Sequence, residues 1–136
     1  MTKILIVDDD AVMLSLLRTL MELEGNEVVT VSRPEQVVPI AEVETPQLVL
    51  MDYHLAGGDA MGPLLILKSR EDLKTIPVLI TSGMDRARVC LDAGADGFLL
   101  KPFRPDELVA KINQMVGEET PAVAQSQFGE AGANRV

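Results

Sequence analysis

The residues of this chain best suited to chemistry are Asp8, Asp9, Asp10, Asp52, Thr81 and Lys101. Each stands at the end of a short apolar run: 4–7 before the three aspartates, 48–51 before Asp52, 78–80 before Thr81 and Ser82, and 98–100 before Lys101. If Asp8, Asp9 and Asp52 share one pocket, each raises the pKa of the others unless a cation is present. A hard divalent ion answers that need: Mg²⁺ takes oxygen ligands and is usually held by one or two carboxylates together with phosphate oxygens. Such a site has room for a phosphoryl group. Lys101 would supply positive charge to its remaining oxygens, Thr81 a hydroxyl donor, and Asp52 a nucleophile that becomes an aspartyl phosphate. The protein's share of that chemistry is positioning and charge stabilisation.

Residues so far apart in sequence converge only if the fold gathers them. The four apolar runs, with the more polar 27–31, read as strands. Between them lie stretches with helical spacing, such as Met13, Leu16, Leu17 and Leu20 in "AVMLSLLRTLMELEGN", which stops at Gly25 and Asn26 as a helix C-terminus does. Strand and helix alternate five times. That alternation predicts a parallel sheet with helices on both faces. Four nearly all-apolar strands fit burial on both sides, whereas "EVVTV" mixes polar with apolar residues and fits a sheet edge. In a parallel sheet the carboxyl ends lie along one edge, where open α/β sheets bind their ligands.

A chain of 136 residues suffices for one domain with a proper core. Its net charge of −9, from 21 acidic and 12 basic residues, argues against a nucleic-acid surface, where Lys and Arg must replace counterions on phosphates. The single cysteine, Cys90, excludes an intramolecular disulfide. The N-terminus lacks the long apolar stretch of a signal peptide, and no apolar run approaches the ~20 residues that span a bilayer, so the cytoplasm is the expected compartment. From Gly117 the composition turns small and polar, "GEETPAVAQSQFGEAGANRV". A folded domain over residues 1–116 followed by a disordered tail, or the start of a linker, over 117–136 is expected.

With these residues in place, the sequence resembles the receiver domains of two-component response regulators, the CheY-like superfamily, over about residues 1–116. The resemblance implies a flavodoxin-like, doubly wound α/β fold: five parallel strands in the order 2-1-3-4-5, flanked by five helices. It implies that Asp52 is the phosphoacceptor, taking a phosphoryl group from a phosphohistidine of a sensor histidine kinase or histidine phosphotransfer protein in a Mg²⁺-dependent reaction. Asp9 and Asp52 would be direct metal ligands, Asp8 would act through water, and the main-chain carbonyl of His54 would complete the protein ligands. Thr81 matches the family's hydroxyl residue, Phe98 the aromatic three positions before the lysine, and "KPF" from Lys101 the lysine-proline segment. The Lys101–Pro102 bond is accordingly expected to be cis, a geometry that the following proline makes accessible.

The resemblance also implies a readout. Thr81 moves toward the phosphoryl group, Phe98 turns inward behind it, and the surface of the fourth helix, fifth strand and fifth helix changes shape for a protein partner, a population shift between two packings. The segments "RARVC" and "FRPDE" lie on or beside that surface. Neither nucleic acid nor membrane is contacted directly, and a homodimer formed on phosphorylation is compatible with this scheme. The chain would catalyse only its own phosphorylation and dephosphorylation.

One segment departs from the family pattern. After Asp52, "DYHLAGGDAMG" carries Leu55 and Ala56 where Met and Pro are usual, and Ala60 where Gly is usual, so a looser loop is expected around Gly57 and Gly58. His54 and Gly83 occupy the two positions where the family tunes the lifetime of the phosphate. Gly83 offers no side chain to orient water, and slow to moderate dephosphorylation is expected.

Plainer readings stand beside these. Asp10 fits a helix N-cap. His54 fits an exposed loop residue whose backbone matters more than its ring, and Cys90 fits an inert thiol in a helix. Val12 and Leu14 flank the core stripe of the first helix, where docking of a kinase's helical bundle and burial by neighbouring loops explain them equally. A phosphatase resembling the haloacid dehalogenases is the rival reading, since "DDDAV" contains D-x-D-x-V; Asp8 would then be the nucleophile and Asp10 the acid/base. It leaves Asp52 without a task and provides no later acidic pair. A non-phosphorylated adapter of the same fold is disfavoured by the full residue set.

Overall fold

The computed structural model describes residues 2–117. The tail or linker expected over 117–136 lies, beyond Gly117, outside the described residues. Five strands, β1 (Lys3–Val7), β2 (Glu27–Val31), β3 (Leu48–Asp52), β4 (Val78–Ser82) and β5 (Gly97–Leu100), form one parallel sheet in the order β2-β1-β3-β4-β5. The helices are α1 (Ala11–Leu23), α2 (Pro34–Glu44), α3 (Met61–Ser69), α4 (Ala87–Asp92) and α5 (Pro105–Val116). This is the doubly wound arrangement that the sequence predicts.

The two-residue period of the strands divides the core. Leu5 and Val7 of β1, Val49 and Met51 of β3, and Val78 and Ile80 of β4 face one side, where they pack with Val37 and Ala41 of α2, Leu64 and Leu67 of α3, and Cys90 of α4. Ile4 and Ile6, Leu48 and Leu50, and Leu79 face the other, against Leu17 and Met21 of α1 and Leu108 and Ile112 of α5. Burial of both faces explains why β1, β3 and β4 are continuous apolar runs.

Two sequence expectations shift. Leu16 is not on the core stripe of α1: it is 61% exposed, and the buried positions are Leu17 and Met21, one turn apart, with Met13, Leu14 and Leu20 half-buried beside them. Val12 is exposed as well. Strand β5, read as buried on both faces, is the second sheet edge; Phe98 and Leu99 are half-buried and Leu100 is 47% exposed. An edge strand lacks a neighbour on one side, so its apolar residues are covered only by helices and loops.

Local chemistry sets the helix starts. The Asp10 carboxylate accepts from the N–H groups of Val12 and Met13, capping α1 as expected. Helices α2 and α5 begin at Pro34 and Pro105, where a missing N–H costs nothing, and Gln36 and Glu107 accept from the N–H groups of Arg33 and Arg104. Among the described residues no helix is long and apolar enough to cross a membrane.

The position of β4 depends on Lys68. Its Nζ donates to the carbonyls of Lys74 and Ile76 at 3.1 and 2.8 Å and pairs with Asp96 at 2.6 Å, while Asp96 accepts from the Val78 N–H at 2.8 Å. One ammonium thus ties the end of α3 and the turn before β5 to the first residue of the strand that carries Thr81. Replacement by methionine keeps the stem but strands the Asp96 carboxylate and two carbonyls. Lys68→Met is expected to destabilise the fold by about 1–2 kcal/mol, discounted for the solvent that reaches Asp96. Urea unfolding would show it as a lower midpoint at unchanged slope; an unchanged midpoint would mean that the network is only decorative.

Candidate functional site

The register of the sheet assembles the predicted residues. Val7 of β1 lies opposite Met51 of β3, Asp52 opposite Thr81, and Ser82 opposite Leu100. Asp8, Asp52, Thr81 and Lys101 therefore emerge side by side at the carboxyl edge. Carboxylate oxygens of Asp8, Asp9 and Asp52 lie within 4.8 Å of one another. Lys101 Nζ is 3.0 Å from Asp52 Oδ1 and 3.8 Å from Asp8 Oδ2, and the Thr81 hydroxyl donates to Asp52 Oδ1 at 3.3 Å.

The three carboxylates differ in surroundings. Asp8 is only 2% exposed, Asp52 half-buried and Asp9 exposed. Burial pushes the Asp8 carboxyl above the ordinary aspartate range; the Asp10 N–H, donating to Asp8 Oδ1 at 2.9 Å, opposes that shift, the Asp52 charge adds to it, Lys101 opposes it and Asp9 adds a little more. One ammonium faces three carboxylates, so the set remains short of positive charge. Three hard oxygen donors around that deficit fit a divalent ion such as Mg²⁺, which tolerates water and phosphate oxygens in its remaining positions.

The other sequence-predicted residues fall as follows. The His54 side chain is exposed, its ring meeting the Tyr53 ring edge to face at 5.1 Å, and it is not part of the acidic cluster. Lys101–Pro102 is cis, as expected. Phe98 is half-buried against the core of the α2, α3 and α4 face, opposite Ile80 in the register. Cys90 is buried, and burial raises its thiol pKa, as an inert thiol requires. Asp10 caps α1 and is not one of the three carboxylates that cluster.

The segment after Asp52 is not loose. His54–Leu55 pairs with Gly58–Asp59 in a short antiparallel ladder, the Tyr53 carbonyl accepts from the Ala60 N–H at 2.8 Å, and the Tyr53 N–H donates to the Thr81 carbonyl at 2.8 Å. Gly57 takes the left-handed conformation that the tight turn needs, at φ +88°, and the Arg33 guanidinium lies where a side chain at position 57 would project. Glycine here permits a tight turn rather than slack.

Sequence reading assigns no separate role to Arg86, whose guanidinium carbon lies 4.5 Å from the centre of the Tyr53 ring. Nothing local signals that contact, which joins two loops 33 positions apart.

Comparison with known proteins agrees with this geometry. Residues 4–113 match the family described as response regulator receiver domain. The probable transcriptional regulator ycf27 of Cyanophora paradoxa is 32% identical over 114 residues, covering 84% of this chain and 48% of that protein. The alkaline phosphatase synthesis transcriptional regulatory protein PhoP of Bacillus subtilis is 30% identical over 129 residues, 93% of this chain and 53% of that one. The chain thus spans about half the length of the curated relatives it matches. Among solved structures, a putative response regulator from Chloroflexus aurantiacus superposes with a TM-score of 0.80 at 28% identity, covering 86% of this chain and 98% of that one. The receiver domain of the sensor histidine kinase PA1611 from Pseudomonas aeruginosa, described with magnesium coordinated in its active-site cleft, gives 0.78 at 26% identity over 86% and 98%. Fold, gathered residues and family match agree: the chain belongs to the response regulator receiver domain family.

Proposed function

We propose that this domain is a Mg²⁺-dependent phosphoacceptor of a phosphorelay, in which Asp52 takes a phosphoryl group from a phosphohistidine of a sensor kinase or phosphotransfer protein. The carrying observation is the placement of Lys101 Nζ 3.0 Å and the Thr81 hydroxyl 3.3 Å from the same Asp52 oxygen, inside a three-carboxylate cluster. The magnesium-bound receiver of the Pseudomonas aeruginosa kinase supports the choice of ion. Asp9, Asp52 and the His54 carbonyl would hold it directly and Asp8 through water, and when bound it would neutralise phosphoryl oxygens.

The chain's own groups do the rest. An Asp52 oxygen attacks phosphorus; the P–N bond breaks and the imidazole leaves with its electron pair, giving an acyl phosphate on Asp52. Lys101 and Thr81 already aim at that carboxylate, so they meet the phosphoryl oxygens without a search, which is where preorganised charge is most effective. Hydrolysis later returns the carboxylate and free phosphate. A Cβ built on Gly83 meets nothing within 4 Å, and a position without a side chain there gives no help in orienting that water; loss of label is slow to moderate. Phosphorylation moves Thr81 and Phe98 and reshapes the α4, β5 and α5 surface for a protein partner, a second copy included. The chain turns over no separate substrate and works in the cytoplasm, either alone or as part of a longer regulator, as the names of its relatives suggest.

Intact mass after incubation with acetyl phosphate tests the acceptor. One phosphoryl adduct that requires Mg²⁺ and disappears in Asp52→Asn is expected; an adduct that persists in Asp52→Asn but is lost in Asp8→Asn would restore the phosphatase reading.

A stability measurement tests the metal. Because burial raises the folded-state pKa of Asp8, the folded chain binds that proton more tightly than the unfolded one. The metal-free fold is therefore most stable below the unfolded value of about 4, and it loses stability as pH rises through the raised folded value. At pH 7 Asp8→Asn should melt higher than the wild type without metal. Mg²⁺ at about 100 times its Kd should stabilise the wild type by about 2.7 kcal/mol and the variant, at the same concentration, by less. Equal Mg²⁺ shifts in the two proteins would remove Asp8 from the metal site.

A further inference from the structure

The loop between β4 and α4 leaves the sheet at Thr81 and Ser82 and re-enters regular structure at Ala87. Arg86 is its last residue. The guanidinium carbon sits 4.5 Å above the ring of Tyr53, within cation–π range, and Nη2 is 3.6 Å from Met84 Sδ. The Nε atom is enclosed and finds no acceptor; it is the one buried side-chain nitrogen or oxygen in that condition among the described residues. Tyr53 in turn follows Asp52 directly, is itself buried, and gives its N–H to the carbonyl of Thr81 at 2.8 Å.

These contacts close a ring. Asp52 meets the Thr81 side chain, Thr81 accepts from the Tyr53 backbone, and the Tyr53 ring carries the far end of the same loop through Arg86. A loop fastened at both ends resists a shift of its first residue. The fastening is also incomplete, because an enclosed donor without a partner destabilises the arrangement that encloses it. The resting loop is consequently held by an attraction that the desolvation cost offsets only in part, a modest net hold that a competing contact at Thr81 can overcome.

We infer that Arg86 is a positioning residue for phosphoryl capture: stacked on Tyr53, it latches the β4 to α4 loop in its unphosphorylated place, and it leaves the ring when Thr81 closes on the phosphoryl group. The inference rests on the phosphoacceptor reading of Asp52. Removing the latch takes a stabilising contact from the resting state alone, so the conformation competent for phosphorylation becomes more populated. A cation–π contact of this kind corresponds to a population change of about threefold to tenfold.

The chain provides its own probe, since Tyr53 is its single tyrosine and it has no tryptophan. Wild type, Arg86→Ala and Arg86→Lys would be followed with acetyl phosphate and Mg²⁺, by intact mass for the rate and by tyrosine emission for the ring's surroundings. Thermal melting in parallel would check that each variant is folded. The expected result has three parts. Arg86→Ala is phosphorylated about threefold to tenfold faster than wild type. Phosphorylation changes Tyr53 emission in wild type and in Arg86→Lys, which keeps a cation over the ring. The emission of Arg86→Ala starts altered and hardly moves. Should Arg86→Ala fail to fold, Arg86→Gln, which keeps the stem and loses the cation, takes its place in both the rate and the emission measurements. Adducts at equal rates in folded wild type and Arg86→Ala, or Tyr53 emission indifferent to phosphorylation in wild type, would overturn the latch while leaving Asp52 as acceptor. No adduct on any of the three chains would overturn the acceptor reading and the latch with it.

Discussion

Like charges gathered where the sheet exposes its carboxyl edge are the constraint on which the rest of this structure depends. Asp8 and Asp52 follow strands that are hydrogen-bonded neighbours, so the chain cannot form its sheet without bringing the two carboxylates together. Lys101, at the end of the edge strand β5, two places from β3 and three from β1, is the compensating charge within reach. The compensation is partial. Asp8 is the most enclosed of the acidic groups and bears the cost as a raised pKa. The result is a site short of positive charge and lined with hard oxygen atoms, the donor set that suits a divalent ion.

The interior exists to hold that edge steady. Both faces of β1, β3 and β4 are covered, one by α1 and α5, the other by α2, α3 and α4, so the strand ends sit on a framework packed from two sides. Polar contacts then set the heights of individual ends. Lys68 and Asp96 fix where β4 begins, and the Lys101 N–H, donating to the Ser82 carbonyl at 2.8 Å, fixes where β5 ends relative to β4. Small displacements of either would alter distances of about 3 Å on which charge stabilisation depends.

Above the framework the loops behave differently. The segment after Asp52 is fastened by its own ladder and by Tyr53, and the loop after Thr81 is fastened to the same tyrosine through Arg86. Tyr53 thereby links Asp52, Thr81 and the entry to α4. That linkage runs from Asp52 toward α4 and β5, where the apolar residues Val89, Leu91 and Leu100 are exposed.

Much of this was legible before any coordinates. The apolar runs ending in Asp8, Asp52, Thr81 and Lys101 pointed to both a parallel sheet and the residues at its carboxyl edge, because strand patterning is local and the right-handedness of the crossovers is general. The cap at Asp10 was equally local. Other features depended on how elements meet. Leu16 looks like a core residue by spacing, yet the rotation of α1 about its axis, which the sheet decides, turns it to solvent. Residues 98–100 look like a buried strand, yet an edge has no second neighbour. The loop after Asp52 looks slack from its glycines, yet its short ladder and the backbone bonds of Tyr53 draw it tight. The contact of Arg86 with Tyr53 left no trace in the sequence at all. Periodicity determines which residues share a face or a strand end; only packing determines which distant loops touch, because that is fixed by the relative placement of elements that no single segment encodes.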